Sequence, residues 1–368
     1  MGSVDAKQWV LNKPTPPGAP FNLDFKSEDA TFELKRVQLS ANDLNDGDIL
    51  IKTLYISNDP AQKFWIISVD KNYSKGVSKG ETIPARGLAK IIASKNKDYP
   101  EGSYITTYTN WNTHSILTKE QLTETTRIVS KKEVDELWWY LSVLGSTALT
   151  AYFIFYNYAE LKERDEDYNK VFLISGAAGA VGSICIQLAL NVFHAKKVIA
   201  IAGGSEKVKY VESFGDKVIG VDYKDPNFKE NLIKAAGGVN TVDYFIDNVG
   251  GEILDLGVLL SKVQSKVLAC GSISGYNNPE KLVFKNYITV VTKRLVLKGL
   301  LLTDNREQFP QAFTKLIELI KAGKINVSNS ATIKDATGDK FDQVPLIWNG
   351  LFQGINKGKL LTKVNEDD

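Results

Sequence analysis

The chain has 368 residues, 43% of them hydrophobic and 24% charged, with a formal net charge of +2. That length allows two domains, the composition is that of a soluble globular protein, and the near-neutral charge argues against a nucleic-acid partner. No apolar run is long enough to span a bilayer, no basic-then-apolar leader opens the chain, and two cysteines cannot build a disulfide framework. A cytoplasmic protein with no membrane partner is expected.

Residues 1–140 carry alternating, strand-like segments at Lys7–Leu11, Thr31–Leu39, Ile49–Tyr55, Ala85–Ala93 and Ser103–Thr109. Turn chemistry separates them, as at Asn45-Asp46-Gly47 and Tyr99-Pro100-Glu101-Gly102, which predicts a mainly-β domain. No element is assigned to 64–80. Helical patterns over Lys131–Leu144 and Ser146–Tyr158 lead into a different texture. There, short apolar runs at Val171–Ile174, Lys197–Ala202, Lys217–Val221, Val242–Asp247, Lys266–Cys270 and Arg294–Leu302 alternate with amphipathic stretches such as Glu206–Phe214 and Phe228–Ala236. This alternation predicts an α/β Rossmann domain with a six-stranded parallel sheet. A helix is predicted at Phe309–Lys321, followed by a strand, helix and strand at Ala331–Ile333, Gln343–Phe352 and Lys359–Val364. The expected division is 1–143, 144–322, and a segment 323–368 that returns to the first domain.

The run VFLISGAAGAVG at 171–182 reads as a strand, a glycine-rich turn and a helix start, the form of a pyrophosphate cradle. Gly179 would let backbone approach phosphate, and Gly182 would let the helix pack close to the sheet. The first fingerprint position is Ala177 rather than glycine. NAD-binding units place an acid about 20 residues beyond the loop. Here Gly203-Gly204-Ser205 stands there, Glu206 already lies in the next helical turn, and Lys207 follows. A missing acid beside a cation suits a ribose 2′-phosphate and favours NADP(H).

The chain has two histidines, His114 and His194, and two cysteines, Cys185 and Cys270. A catalytic zinc needs about three protein ligands and a structural thiolate site four, so no metal site is expected. The cysteines read as small buried hydrophobes, His194 as a helix C-terminal cap and His114 as a surface or strand residue.

Four motifs occur in order: Leu149-Thr150-Ala151-Tyr152, Ala177–Gly182, Asp247-Asn248-Val249-Gly250-Gly251, and Cys270-Gly271-Ser272-Ile273-Ser274-Gly275-Tyr276-Asn277. With them the chain resembles the zinc-independent medium-chain dehydrogenase/reductases of the leukotriene B4 12-hydroxydehydrogenase/prostaglandin reductase and 2-alkenal reductase branch. The resemblance implies a GroES-like first domain completed by the tail, and NADPH-dependent reduction of the carbon–carbon double bond of α,β-unsaturated aldehydes and ketones. It implies cofactor contacts from Gly179, Ala180, Val181, Gly182, Gly204, Lys207, Tyr223, Asn248, Ser274, Tyr276 and Asn356. It also implies that Tyr276, with Tyr55 as a second tyrosine, stabilises the enolate, and that a homodimer forms through the sixth Rossmann strand.

Two positions depart from the family pattern. After Asp59-Pro60 the family usually continues Tyr-Met-Arg, where this chain has Ala61-Gln62-Lys63; before Leu149 it usually has glycine, where this chain has Ala148. Two other readings stay open. One is a quinone reductase, with Phe64, Trp65 and Trp111 lining a cleft or belonging to the core. The other is an NADPH-binding protein with little catalysis.

Overall fold

The structure, a computed structural model, describes residues 3–67 and 76–367. The chain divides into two units, residues 1–141, 332–355 and 360–368 in the first and 142–331 and 356–359 in the second. Of the returning tail, 323–331 and 356–359 therefore belong with the second unit. Residues 68–75, in the stretch to which sequence assigns no element, lie outside the described residues.

In the first unit β1 (Val4–Leu11) and β2 (Phe32–Leu39) form an antiparallel ribbon. Then come β3 (Ile49–Asn58), α1 (Gln62–Ile66), β4 (Arg86–Ser94), β5 (Tyr104–Tyr108), β6 (His114–Leu117) and β7 (Arg127–Val129). β3 is buried on both faces over most of its length. Ile49, Ile51, Ala89, Ile91, Ile105 and Leu117 make one core cluster along it. β6 and β7 were not legible in sequence, being four and three residues long. The helix expected over Lys131–Leu144 is only a 3₁₀ turn at Leu137–Leu141. Ser130 offers a competing local arrangement: its hydroxyl accepts from Lys132 N at 3.1 Å and its carbonyl from Glu133 N at 3.3 Å.

The second unit opens with α2 (Ser146–Phe153), which runs into a wider π-type turn at Ile154–Tyr158. It continues β8 (Val171–Ile174), α3 (Ala180–Asn191), β9 (Lys197–Ala202), α4 (Ser205–Glu212), β10 (Val218–Asp222), α5 (Phe228–Ala236), β11 (Val242–Asp247), α6 (Gly251–Leu260), β12 (Ser261–Ala269), α7 (Tyr287–Lys293), β13 (Val296–Gly299) and α8 (Phe309–Lys321). The sheet is parallel throughout, in the order β10-β9-β8-β11-β12-β13. That order is the doubly wound nucleotide-binding arrangement. β12 starts five residues before the apolar run read from sequence, because a register shift and a left-handed Gln264 (φ 62°) absorb its polar beginning. β13 is shorter than expected. Left-handed Arg294 (φ 52°) ends α7, and Leu302 already starts a 3₁₀ turn.

The chain then supplies β14 (Ala331–Asp335), α9 (Val344–Asn349) and β15 (Lys359–Lys363). β15 pairs with β3 and β14 with β15, giving the order β14-β15-β3-β4-β5-β7 with β6 on β3. α9 brings Trp348 to an aromatic core. Its ring centroid lies 5.5 Å from Phe21 and 5.7 Å from Trp111, and its indole N–H donates to Asp59 O at 3.0 Å. Trp111 is fully buried there, which makes it a core residue and not a cleft residue.

The altered stretch 61–63 is a tether. The Gln62 side chain accepts from Asp59 N at 2.7 Å and donates to Pro84 O at 2.9 Å. Lys63, 1% exposed, donates to Ala19 O at 2.9 Å and stands 5.3 Å from the centre of the Phe21 ring. Burial pulls its ammonium pKa down to about 8, from an ordinary value of 10.5. Below pH 8 the amine is charged in both the folded and unfolded chain. Between about 8 and 10.5 the unfolded chain holds more protons, so stability rises with pH through that window. Lys63→Met should abolish this rise, read as urea midpoints at about pH 7.5 and about pH 9.5. An equal rise in the variant would assign the effect elsewhere.

Candidate functional site

In the second unit the chain winds in opposite directions from β8 and β11, which are neighbours. The crevice beyond the carboxyl ends of such strands is where this architecture places ligands. Loops leave the ends of β8, β11 and β12, and one residue, Asp247, bonds all three, the first two through its carboxylate and the third through its carbonyl. Asp247 is 1% exposed. It accepts from Ser175 Oγ at 2.7 Å, from Val249 N at 3.1 Å and from Gly250 N at 3.0 Å. Its own carbonyl accepts from Cys270 N at 2.8 Å and Gly271 N at 3.2 Å. Burial raises its carboxyl pKa, against the lowering effect of its hydrogen bonds to Ser175, Val249 and Gly250. Ser175 Oγ in turn accepts from Asn248 N at 2.8 Å, and Asn248 Nδ2 donates to Ser175 O at 2.7 Å.

The glycine-rich turn closes on α3. Gly179 is its N-cap and no side chain caps it. The N-terminus therefore presents backbone N–H groups and the positive end of the helix dipole, the physical basis of an anion site. Gly182 is required by contact: a Cβ there would lie 2.5 Å from Gly176 O and 2.6 Å from Ala177 Cα. It packs against the turn itself, rather than the sheet as sequence suggested. Residues 356–359 flank this turn. Gly358 N donates to Ala178 O at 2.8 Å, Lys359 N to Ser330 O at 2.8 Å, and Asn356 Nδ2 to Gly358 O at 2.7 Å. Gly358 N thus holds the segment against the turn, and Asn356 closes the segment on itself.

The ends of β9 and β10 form a second feature. Asp222 ties them, accepting from Gly204 N at 2.8 Å and Lys224 N at 2.9 Å. The Tyr223 ring lies over Gly203 so closely that a Cβ there would be 2.6 Å from it. Lys207 is half-buried, and its pKa is lowered first by burial and then by the positive charges of Lys224 and Lys357. Three ammonium groups from α4, the loop after β10 and the C-terminal segment therefore share one locality. Glu206 is the carboxylate beside them, 3.5 Å from Lys357 and 3.8 Å from Lys209.

The structure distributes the other sequence candidates as follows. Ser274 Oγ donates to Val249 O at 2.6 Å, joining the Asp247 network. Tyr276 follows a 3₁₀ turn at Ile273–Gly275, and its hydroxyl lies 3.4 Å from the position of a Cβ on Gly271. Tyr55 belongs to the first unit, on β3 opposite Lys363. Burial raises its phenol pKa, so it keeps its proton at neutral pH. His194 is not a helix cap: it lies beyond the end of α3 in a left-handed conformation, its ring 4.8 Å from Tyr168. His114, on β6, is held neutral with a pKa near 4 by burial and by Lys52. Cys185 is buried and its thiol pKa is pushed far up; partly exposed Cys270 is pushed up to about 12 by burial and by Asp247. Neither thiol ionises near neutrality. Among the described residues no group of three or more His, Cys, Asp and Glu is placed to hold a metal. A polar cavity of about 170 Å³ lined by Lys170, Asp243 and Lys262 sits at the opposite, amino ends of the strands, where Asp243 already pairs with Lys262 at 2.7 Å.

Sequence reasoning missed Asp247, Ser175, Lys224 and Lys357 as site residues. Asp247 begins a quoted motif, and Lys357 stands between Asn356 and Gly358. Their roles need the third dimension.

Comparison with known proteins places this geometry. The family described as the N-terminal domain of oxidoreductase matches residues 7–125, and that described as zinc-binding dehydrogenase matches 180–321. The chain is 61% identical over 365 residues to the Saccharomyces cerevisiae uncharacterized membrane protein YML131W, covering 99% of this chain and 100% of that one. No helix among the described residues is long and apolar enough to cross a membrane. It is 30% identical to prostaglandin reductase 1 of Bos taurus, covering 98% and 99% of the two chains. The structure of CurA from Vibrio vulnificus in complex with NADPH superposes with a TM-score of 0.81 at 25% identity, covering 98% and 99%. The chain belongs to the zinc-independent medium-chain dehydrogenase/reductases, in the oxidoreductase branch that holds the prostaglandin, 2-alkenal and curcumin reductases.

Proposed function

We propose that this protein is an NADPH-dependent reductase of the carbon–carbon double bond of α,β-unsaturated aldehydes and ketones, acting without zinc. The lysine cluster at the ends of β9 and β10 carries the cofactor reading. A 2′-hydroxyl gives three ammonium groups nothing to neutralise, whereas a 2′-phosphate does. The relatives named as prostaglandin and NADP(+)-dependent 2-alkenal reductases, and the likeness to an NADPH complex, support it.

The residues fit the dinucleotide. Gly179, Ala180, Val181 and Gly182 offer backbone at the uncapped start of α3, where a pyrophosphate would rest. Gly204, Lys207 and Tyr223 surround the place for the phosphorylated ribose. Asn248, Ser274 and Asn356 act by holding loops, since each side chain already bonds backbone. When bound, NADPH supplies the hydride that reaches the β-carbon of the substrate. Negative charge then develops on the substrate carbonyl oxygen, and a preorganised neutral donor there lowers the barrier. Tyr276 is that donor in this reading and Tyr55 the second. A phenol whose pKa sits at or above about 10 keeps its proton and can donate it in a hydrogen bond. Water delivers the α-carbon proton. The substrate is a small hydrophobic enal or enone, and the enzyme is cytoplasmic.

The test is NADPH consumption with a medium-chain 2-alkenal, against NADH and a quinone as controls. Saturated aldehyde should accumulate with NADPH. Tyr276→Phe should lower kcat/KM by about 10²–10³, as loss of one oxyanion donor does elsewhere, with Tyr55→Phe smaller and without effect on NADPH affinity. Faster turnover of the quinone, or no effect of either variant, contradicts the reading.

We also infer a homodimer through β13, whose Val296 and Leu297 are 46% and 40% exposed at the edge of the sheet. Sedimentation should give twice the 40.7 kDa chain mass, and Val296→Lys should halve it. A monomer at micromolar concentration contradicts it.

A further inference from the structure

Glu206 lies just past the position where an acid would favour a free ribose hydroxyl, inside α4, and its carboxylate pairs with two cations. Lys357 lies 3.5 Å from Oε2 and Lys209 3.8 Å from Oε1. Lys357 is not a free-swinging surface lysine. The residues on either side of it are pinned, Asn356 to Gly358 O and Gly358 to Ala178 of the glycine-rich turn. The backbone of Lys357 is therefore indexed to the same turn that forms the cradle. The Lys207 ammonium feels both Lys224 and Lys357. Among the described residues no carboxylate stands within ion-pair distance of Lys207 or Lys224; the carboxylate that reaches this group of lysines is Glu206, through Lys357.

We propose that Lys357 and Glu206 form an exchange pair that reads the 2′-phosphate: Glu206 occupies the lysine cluster in the cofactor-free protein, and the phosphate of NADPH displaces it and takes over Lys357. This rests on the NADPH reading above and names the residues that set its specificity. Both partners are largely exposed, Lys357 at 43% and Glu206 at 73% of the side chain, so water screens the ion pair and exchange is easy. A dianionic phosphate outcompetes a single carboxylate for the same ammonium. NADH brings no charge at the ribose 2′ position, leaves the pair intact and gains nothing from it. Asp222 does not compete, because its Oδ1 is already bonded to the N–H groups of Gly204 and Lys224.

The experiment is equilibrium titration of the full-length protein with NADPH and with NADH, read by nicotinamide fluorescence or calorimetry at low and high salt. Lys357→Gln should weaken NADPH by about threefold to fivefold, and Glu206→Gln should tighten it by about the same, the scale of exposed charge pairs. NADH affinity serves as the folding control and should stay constant. In the Lys357→Gln background the gain from Glu206→Gln should shrink to about twofold or less, because the two residues act through one another. Both effects should fade at high salt. An NADPH:NADH ratio unmoved by Lys357→Gln, or a Glu206→Gln gain that persists in full without Lys357, overturns the exchange pair while leaving the cofactor reading standing. No preference for NADPH in the unmodified protein overturns both.

Discussion

A single buried carboxylate organises the crevice on which everything else depends. Asp247 gathers the Ser175 hydroxyl and the N–H groups of Val249 and Gly250, and its carbonyl takes two more from β12's exit. Without that acceptor, three donors would go unpaired, and the two buried ones, Ser175 Oγ and Gly250 N, would cost about 1–3 kcal/mol each. The three loops at the switch point are thus built as one body. A parallel sheet places loop starts side by side, but it does not set their conformation. The Asp247–Ser175 pair does that, and Asn248 locks the first loop from the other side.

The consequence is a division of labour. Polar side chains that resemblance assigned to the ligand, Asn248, Ser274 and Asn356, are engaged with backbone. What else the crevice offers is main-chain N–H at the start of α3 and ammonium groups on three elements, that of Lys357 paired with Glu206. Both are sources of positive potential, which suits a ligand made of phosphates. The first unit shows the same logic applied to stability. Gln62 and Lys63 replace residues the family usually has, and they bond Asp59, Pro84 and Ala19 instead of facing a ligand. The changed motif supports a structural strap and is no evidence of lost catalysis.

Much of the fold was legible because the parallel strands are buried on both faces and read as short apolar runs. β8, β9, β11, α5 and α8 fall where the pattern puts them. Failures have local causes. β6 and β7 are too short to show a period, Gln264's left-handed turn hides the start of β12, and Ser130's side chain undoes a helical pattern before Leu137. α6 and α7 were missed outright. Of the candidate site, the glycine turn and Lys207 were readable, since each is a local signal. Lys224 and Lys357 were not: Lys224 comes close to Lys207 only through the pairing of β9 with β10, and Lys357 only when the chain returns 150 residues later. Asp247 looked like part of a motif, and its burial and three donors are tertiary facts.

The most direct test replaces that carboxylate with its nearest isostere. Asp247→Asn keeps the shape but turns an amide N–H₂ either toward Gly250 N, which Oδ2 accepts from, or toward Ser175 Oγ and Val249 N, which Oδ1 accepts from. The account predicts a lowered melting temperature and an NADPH affinity reduced by about tenfold or more, in line with about 1.4 kcal/mol per decade. NADPH affinity equal to that of the unmodified protein would contradict it, and would show that the crevice forms without its central acceptor.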